Sequence, residues 1–205
     1  MAMTYGAQHL PTTITDGRGY TTTMTYDSQG NLLTVTDPLG KTTTMTYDVA
    51  GKMLTRTNPL GQTETFTYDS SGNVATRTDP LGHTWSWTYD GSGRMLSETN
   101  PLGQTKTWSY LFGGQIAIET DELGGTKYLG YTADGRIRIM DDELGHRTEW
   151  FYDDRGLVSA KLDPAGHLTA YDYDANRRLV AVTDPNGLTS EYEYDDAGHI
   201  IALID

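Results

Sequence analysis

Between Thr21 and Tyr26 the chain reads Thr-Thr-Thr-Met-Thr-Tyr, an alternation that puts Met24 and Tyr26 on one side of an extended strand and threonines on the other. The same lettering returns at Thr42–Tyr47, and a shorter run, Asn31–Thr36, lies between the two. Each run ends at a turn signal. In Asp37-Pro38-Leu39-Gly40 the aspartate is a side-chain acceptor, the proline presets φ, and the glycine tolerates a left-handed backbone. Asp27-Ser28-Gln29-Gly30 has the same ends without the proline. Runs of this length, rich in Thr, Tyr and Met and broken by such turns, predict β-hairpins joined in an antiparallel meander of roughly 18 strands. No stretch sustains the three-and-four apolar spacing of a long helix, so the predicted fold class is all-β.

The pattern has a period. Tyr26, Tyr47, Tyr68, Tyr89, Tyr110, Tyr131, Tyr152, Tyr173 and Tyr194 keep one register, and Tyr5 extends it backwards. Glycine recurs with Gly40, Gly61, Gly82 and Gly103, and in the other turn at every unit except where His9 and Arg177 stand instead. Self-similarity at a fixed period marks a tandem-repeat architecture. We expect a single array over 1–205 of about nine hairpin units, with 1–19 as a degenerate first unit, forming one continuous, curling antiparallel sheet. The unit is odd in length, so the tyrosines share a face only if its two turns differ in parity. A bulge is therefore expected at the Asp27–Gly30 turn of each unit, with Tyr26 opposite Leu32. Asn58–Thr63 recurs letter for letter at 100–105, as if two units had been copied together. Two hairpins also equal a four-stranded propeller blade in size, a rival shape in which main-chain pairing breaks every fourth strand.

Charge changes the picture in one respect. The net charge is −13, and it is unevenly placed. Residues 1–110 hold nine acids and seven bases, against nineteen and eight in 111–205. A field of that sign repels phosphate, which disfavours nucleic acid and leaves room for a cationic protein partner. The chain contains no cysteine, and its longest apolar run, Ile200–Ile204, is too short for a membrane span. No signal peptide is expected from its first residues.

Candidate chemistry is sparse. His83, His146 and His167 share one repeat slot, but equivalent slots lie two strands apart, about 10 Å, too far to converge on one metal ion. Each aspartate of the repeat already has a turn to cap. Serines such as Ser28, Ser70 and Ser92 fall in turns, and neighbouring carboxylates such as Asp141 and Asp142 point to opposite faces of a strand. No cofactor, metal or catalytic residue is expected, and no enzyme activity. Trp85, Trp87, Trp108 and Trp150 extend the tyrosine face as an aromatic stripe, either lining a concave wall or serving as a stacking platform.

Tyr47-Asp48-Val49-Ala50-Gly51-Lys52-Met53, followed by Asn58-Pro59-Leu60-Gly61, resembles the YD repeats of the Rhs family, which includes toxin-complex shell components and teneurins. The resemblance runs from about Tyr5 to Asp205. It implies a segment of a hollow YD-repeat shell, which encloses and helps deliver a C-terminal toxin or other cargo and is itself without catalysis. By the same resemblance the partner is a cargo domain, usually of the same longer polypeptide, and the location is the bacterial exterior, secreted or at the cell surface. No autoprotease residue of the family can be carried over to this chain. Two further partners are contemplated: a second copy through open sheet edges, and glycans bound by the aromatic face in an adhesion module.

Overall fold

The computed structural model describes residues 1–204. These form twenty strands and, among the described residues, no helix. The count exceeds the expected eighteen because the degenerate first unit also folds as a hairpin. The chain divides into two compact units, Met1–Thr105 and Lys106–Asp205. The first contains β1 (Ala2–Tyr5), β2 (Pro11–Thr15), β3 (Thr21–Tyr26), β4 (Leu32–Thr36), β5 (Thr42–Tyr47), β6 (Met53–Thr57), β7 (Thr63–Tyr68), β8 (Val74–Thr78), β9 (Thr84–Tyr89) and β10 (Met95–Thr99). The second contains β11 (Thr105–Tyr110, its first residue in the other unit), β12 (Ile116–Thr120), β13 (Thr126–Tyr131), β14 (Ile137–Asp141), β15 (Arg147–Tyr152), β16 (Val158–Leu162), β17 (Leu168–Tyr173), β18 (Leu179–Thr183), β19 (Thr189–Tyr194) and β20 (Ile200–Ile204).

Within each unit every strand pairs antiparallel with its successor. Pairing runs unbroken through β4–β5, β8–β9 and β12–β13, which excludes propeller blades within either unit.

The two turns of a repeat are built alike, contrary to the expectation that only one carries a glycine-closed bulge. Asp27 N donates to Asn31 O (3.0 Å) and Gly30 N to Asp27 O (3.2 Å), while Asp37 N donates to Lys41 O (2.9 Å) and Gly40 N to Asp37 O (2.9 Å). Gly30 and Gly40 have φ of 90° and 78°. Where glycine is missing, His9 and Arg177 take the left-handed conformation themselves, at φ 58° and 67°. Asp37 Oδ1 also accepts from Leu39 N (2.8 Å) and Lys41 N (2.9 Å), so the aspartate organises the turn that it begins.

Identical turns contribute identical parity, so something else must correct the odd period. Between β4 and β5 the ladder is regular, Thr36↔Thr42 to Thr34↔Thr44. Between β3 and β4, Tyr26 faces Leu32, as expected, but Thr25 faces Thr34. Leu33 is the extra residue of a bulge inside the strand. The same shift recurs at Thr46/Tyr47, Thr67/Tyr68, Gly130/Tyr131 and Glu193/Tyr194. Through it, the tyrosines of each unit stand on one face.

The opposite face of β3–β10 is hydroxylated throughout. Thr25 and Thr34, Thr46 and Thr55, and Thr67 and Thr76 bring their hydroxyls within 2.6 Å of each other across the strands. The sheet is one layer thick: among the described residues no apolar side chain is buried, and the single buried side chain is Thr148. Cross-strand pairs and turns therefore hold the fold, in place of a sandwiched core.

Candidate functional site

The repeat signature has its structural explanation on the tyrosine face. A bulge interrupts the ladder, and the tyrosine of the following hairpin answers the carbonyl beside it. Tyr47 Oη donates to Leu32 O (2.9 Å), Tyr68 Oη to Met53 O (2.8 Å), Tyr131 Oη to Ile116 O (2.8 Å), and Tyr194 Oη to Leu179 O (2.7 Å). Each phenol ties one hairpin to the one before it, a task phenylalanine could not do. Burial pushes the phenols of Tyr47, Tyr68, Tyr89 and Tyr173 up from their ordinary range.

Above these rings sits a row of cations that the sequence reading missed. Lys52 Nζ lies 5.4 Å from the centroid of the Tyr68 ring; the Arg136 and Arg178 guanidinium carbons lie 5.4 Å and 4.7 Å from the Tyr152 and Tyr194 centroids. Arg94 occupies the equivalent slot. A base thus appears in every second hairpin, and the two-unit duplication was the available signal.

The four tryptophans all project from the tyrosine face, half-buried. Trp85 stands opposite Arg77, whose guanidinium carbon is 5.2 Å from its ring centroid, and Trp87 stands opposite Glu98. In the other unit Trp108 is opposite Glu119 and Trp150 opposite Lys161. The stripe is therefore mixed: charged partners alternate with the rings. Arg77 Nε donates to Glu64 Oε1 (3.2 Å). Beside Trp150 a shallow groove of about 220 Å³ is lined by Val158, Lys161, Tyr171 and Tyr173.

The histidines serve their own turns. His83 Nδ1 lies 2.9 Å from Asp79 Oδ2, and His146 and His167 lie 3.1 Å from Asp142 and Asp163 in the same way. Among the described residues no three His, Asp or Glu side chains converge as a metal site. Backbone amides hold the turn carboxylates below their ordinary range, as His146 N does for Asp142 and Leu188 N for Asp184. Each of these groups caps the turn that it begins.

The profile of the RHS repeat family matches residues 5–41, 26–63, 68–105, 152–189 and 178–205. Comparison with curated proteins gave no match. Among solved structures, the chain is similar to "TcdB2-TccC3 without hypervariable C-terminal region" at 16% identity and a TM-score of 0.48, and to "TcdB2-TccC3-Cdc42" at 16% and 0.47. A Photorhabdus luminescens Tc holotoxin pore is matched at 14% and 0.43. In each case the match covers 98% of this chain and 15% of the other, so the chain spans about 15% of the length of the structures it resembles.

Proposed function

The chain belongs to the RHS repeat family, and from that premise we propose that it is a wall segment of an encapsulating shell, one array of hairpins that contains a cargo domain and performs no catalysis itself. The observation that carries this reading is the use made of the repeat letters. Aspartate and glycine close the turns, the bulge keeps the faces in register, and the tyrosine hydroxyl clips each hairpin to its predecessor. A sheet built this way extends by adding hairpins and needs no core beneath it.

On this reading the partner is a toxin or other cargo domain in the same polypeptide, and the protein works outside the bacterial cell. The aromatic groove at Trp150, Lys161 and Tyr171 favours one secondary reading, a glycan site of an adhesion module. The test is limited proteolysis of the longer polypeptide carrying this array and its cargo. A cargo that resists cleavage until the array is denatured supports containment. Cleavage at the rate of the free cargo overturns it, and glycan-array binding abolished by Trp150→Ala favours the secondary reading instead.

A further inference from the structure

The face opposite the tyrosines differs between the two units in a way the fold does not require. In β3–β10 its alternate positions, Thr21 to Thr99, are all threonine except Ser86 and Ser97. Corresponding slots in the second unit hold Ile118, Tyr128, Ile139, Phe151, Leu162 and Leu168. The registers pair Ile118 with Tyr128, Gly130 with Ile139, Phe151 with Ala160 and Leu162 with Leu168, while Asp141 stands opposite Tyr128 and Glu149 stands between Ile139 and Leu162. Tyr128, Phe151 and Leu168 are 51%, 39% and 48% exposed. Threonine at these slots already builds the same hairpins in the first unit, so large apolar side chains here answer to something other than the fold.

Charge says what that is. The acids in these slots are Asp141, Glu149, Asp172, Glu191 and Glu193, and the one base is Arg147. Arg147 is already spent, with Nε 2.7 Å and Nη2 2.8 Å from the two Asp141 oxygens. Among the described residues Glu149, Asp172, Glu191 and Glu193 form no salt bridge, and only Glu149 lies near enough to Arg147 to share its charge with Asp141. A strip of apolar side chains interspersed with five carboxylates against one base repels a second copy of itself and attracts a cation-bearing partner.

We infer that this face of β12–β19 is a docking surface for a basic amphipathic polypeptide segment, whose apolar side chains cover Tyr128, Phe151 and Leu168 while its lysines or arginines meet Glu149, Glu191 and Glu193. Eight strands at about 4.8 Å give a strip of about 34 Å, the length of a helix of roughly 22 residues. The inference does not depend on the shell reading, because the surface lies on the side of the sheet away from the tyrosines and its test needs no cargo.

The experiment uses the whole chain and a fluorescent amphipathic Leu/Lys peptide of about 22 residues, with a Leu/Glu peptide of the same pattern beside it. Fluorescence anisotropy should show the basic peptide bound at low salt, with affinity falling steeply as salt is raised. Tyr128→Thr/Phe151→Thr/Leu168→Thr installs the first unit's residue at each slot and should weaken binding about tenfold or more while the strand circular dichroism is retained. Glu149→Gln/Glu191→Gln/Glu193→Gln should weaken it comparably and flatten the salt dependence. Equal binding of the acidic peptide, undiminished binding by the threonine variant, or a concentration-dependent dimer of the unmodified chain that this variant dissolves would each overturn the inference.

Discussion

Replacing Tyr47 by phenylalanine removes one oxygen and no ring contact, so it isolates the clip between neighbouring hairpins. The lost bond, 2.9 Å from phenol to Leu32 carbonyl, is of the kind that contributes about 1 kcal/mol net. Tyr68 and Tyr131 make the same bond to Met53 and Ile116, at 2.8 Å each. The three phenols bond three different carbonyls, so their losses should sum to about 3 kcal/mol, less any coupling through Met53, which pairs with Tyr47 and accepts from Tyr68. For a chain of this size, that lowers the melting temperature by roughly 6–12 °C. Tyr5→Phe is the internal control, because the Tyr5 hydroxyl reaches only Met3 Sδ at 3.3 Å and the ring is 60% exposed. Thermal melts followed by circular dichroism measure both. If the triple variant melts within a degree or so of Tyr5→Phe, the hydroxyls do not clip the hairpins together and the account of the repeat tyrosine is wrong.

Arg177 holds a left-handed φ of 67°, which costs a non-glycine residue about 1–2 kcal/mol, partly offset in a glycine variant by greater unfolded-state freedom. Arg177→Gly should therefore raise the midpoint of chemical denaturation, and Arg177→Val should lower it. Acid should loosen the turns. The Asp184 carboxyl is depressed below 3.8 chiefly by the Leu188 amide, so its stabilising contribution is full above that unfolded-state value and is lost as pH falls through the lower folded value. A pH titration of stability should accordingly be shallower in Asp184→Asn than in the parent, since Asn58 and Asn100 show that an amide caps the same turn without titrating. Deleting Leu33, the bulge residue, should leave Tyr26 opposite Leu32 and Thr25 opposite Thr34 in an unbroken ladder, so the later strands keep their faces and cooperative melting is retained, whereas inserting one residue beside Leu33 should reverse those faces and abolish it.

Much of this molecule is local and was therefore written in the chain. Turn residues act within four positions of one another, so Asp37 and Gly40 announce their hairpin without help from distant strands, and the alternation of Met24 and Tyr26 with threonine declares one face. Tyr26 opposite Leu32 followed from the same counting. Tertiary structure decided where parity is corrected. Asp27–Gly30 and Asp37–Gly40 are chemically alike, so neither could reveal that the extra residue is Leu33, a position set by how two whole strands align. The bond from Tyr47 to Leu32 and the cation of Lys52 over Tyr68 span neighbouring hairpins and needed the registers of both. The same is true of the surface around Phe151: its members are scattered singly through six strands, and only pairing gathers them onto one side of the sheet.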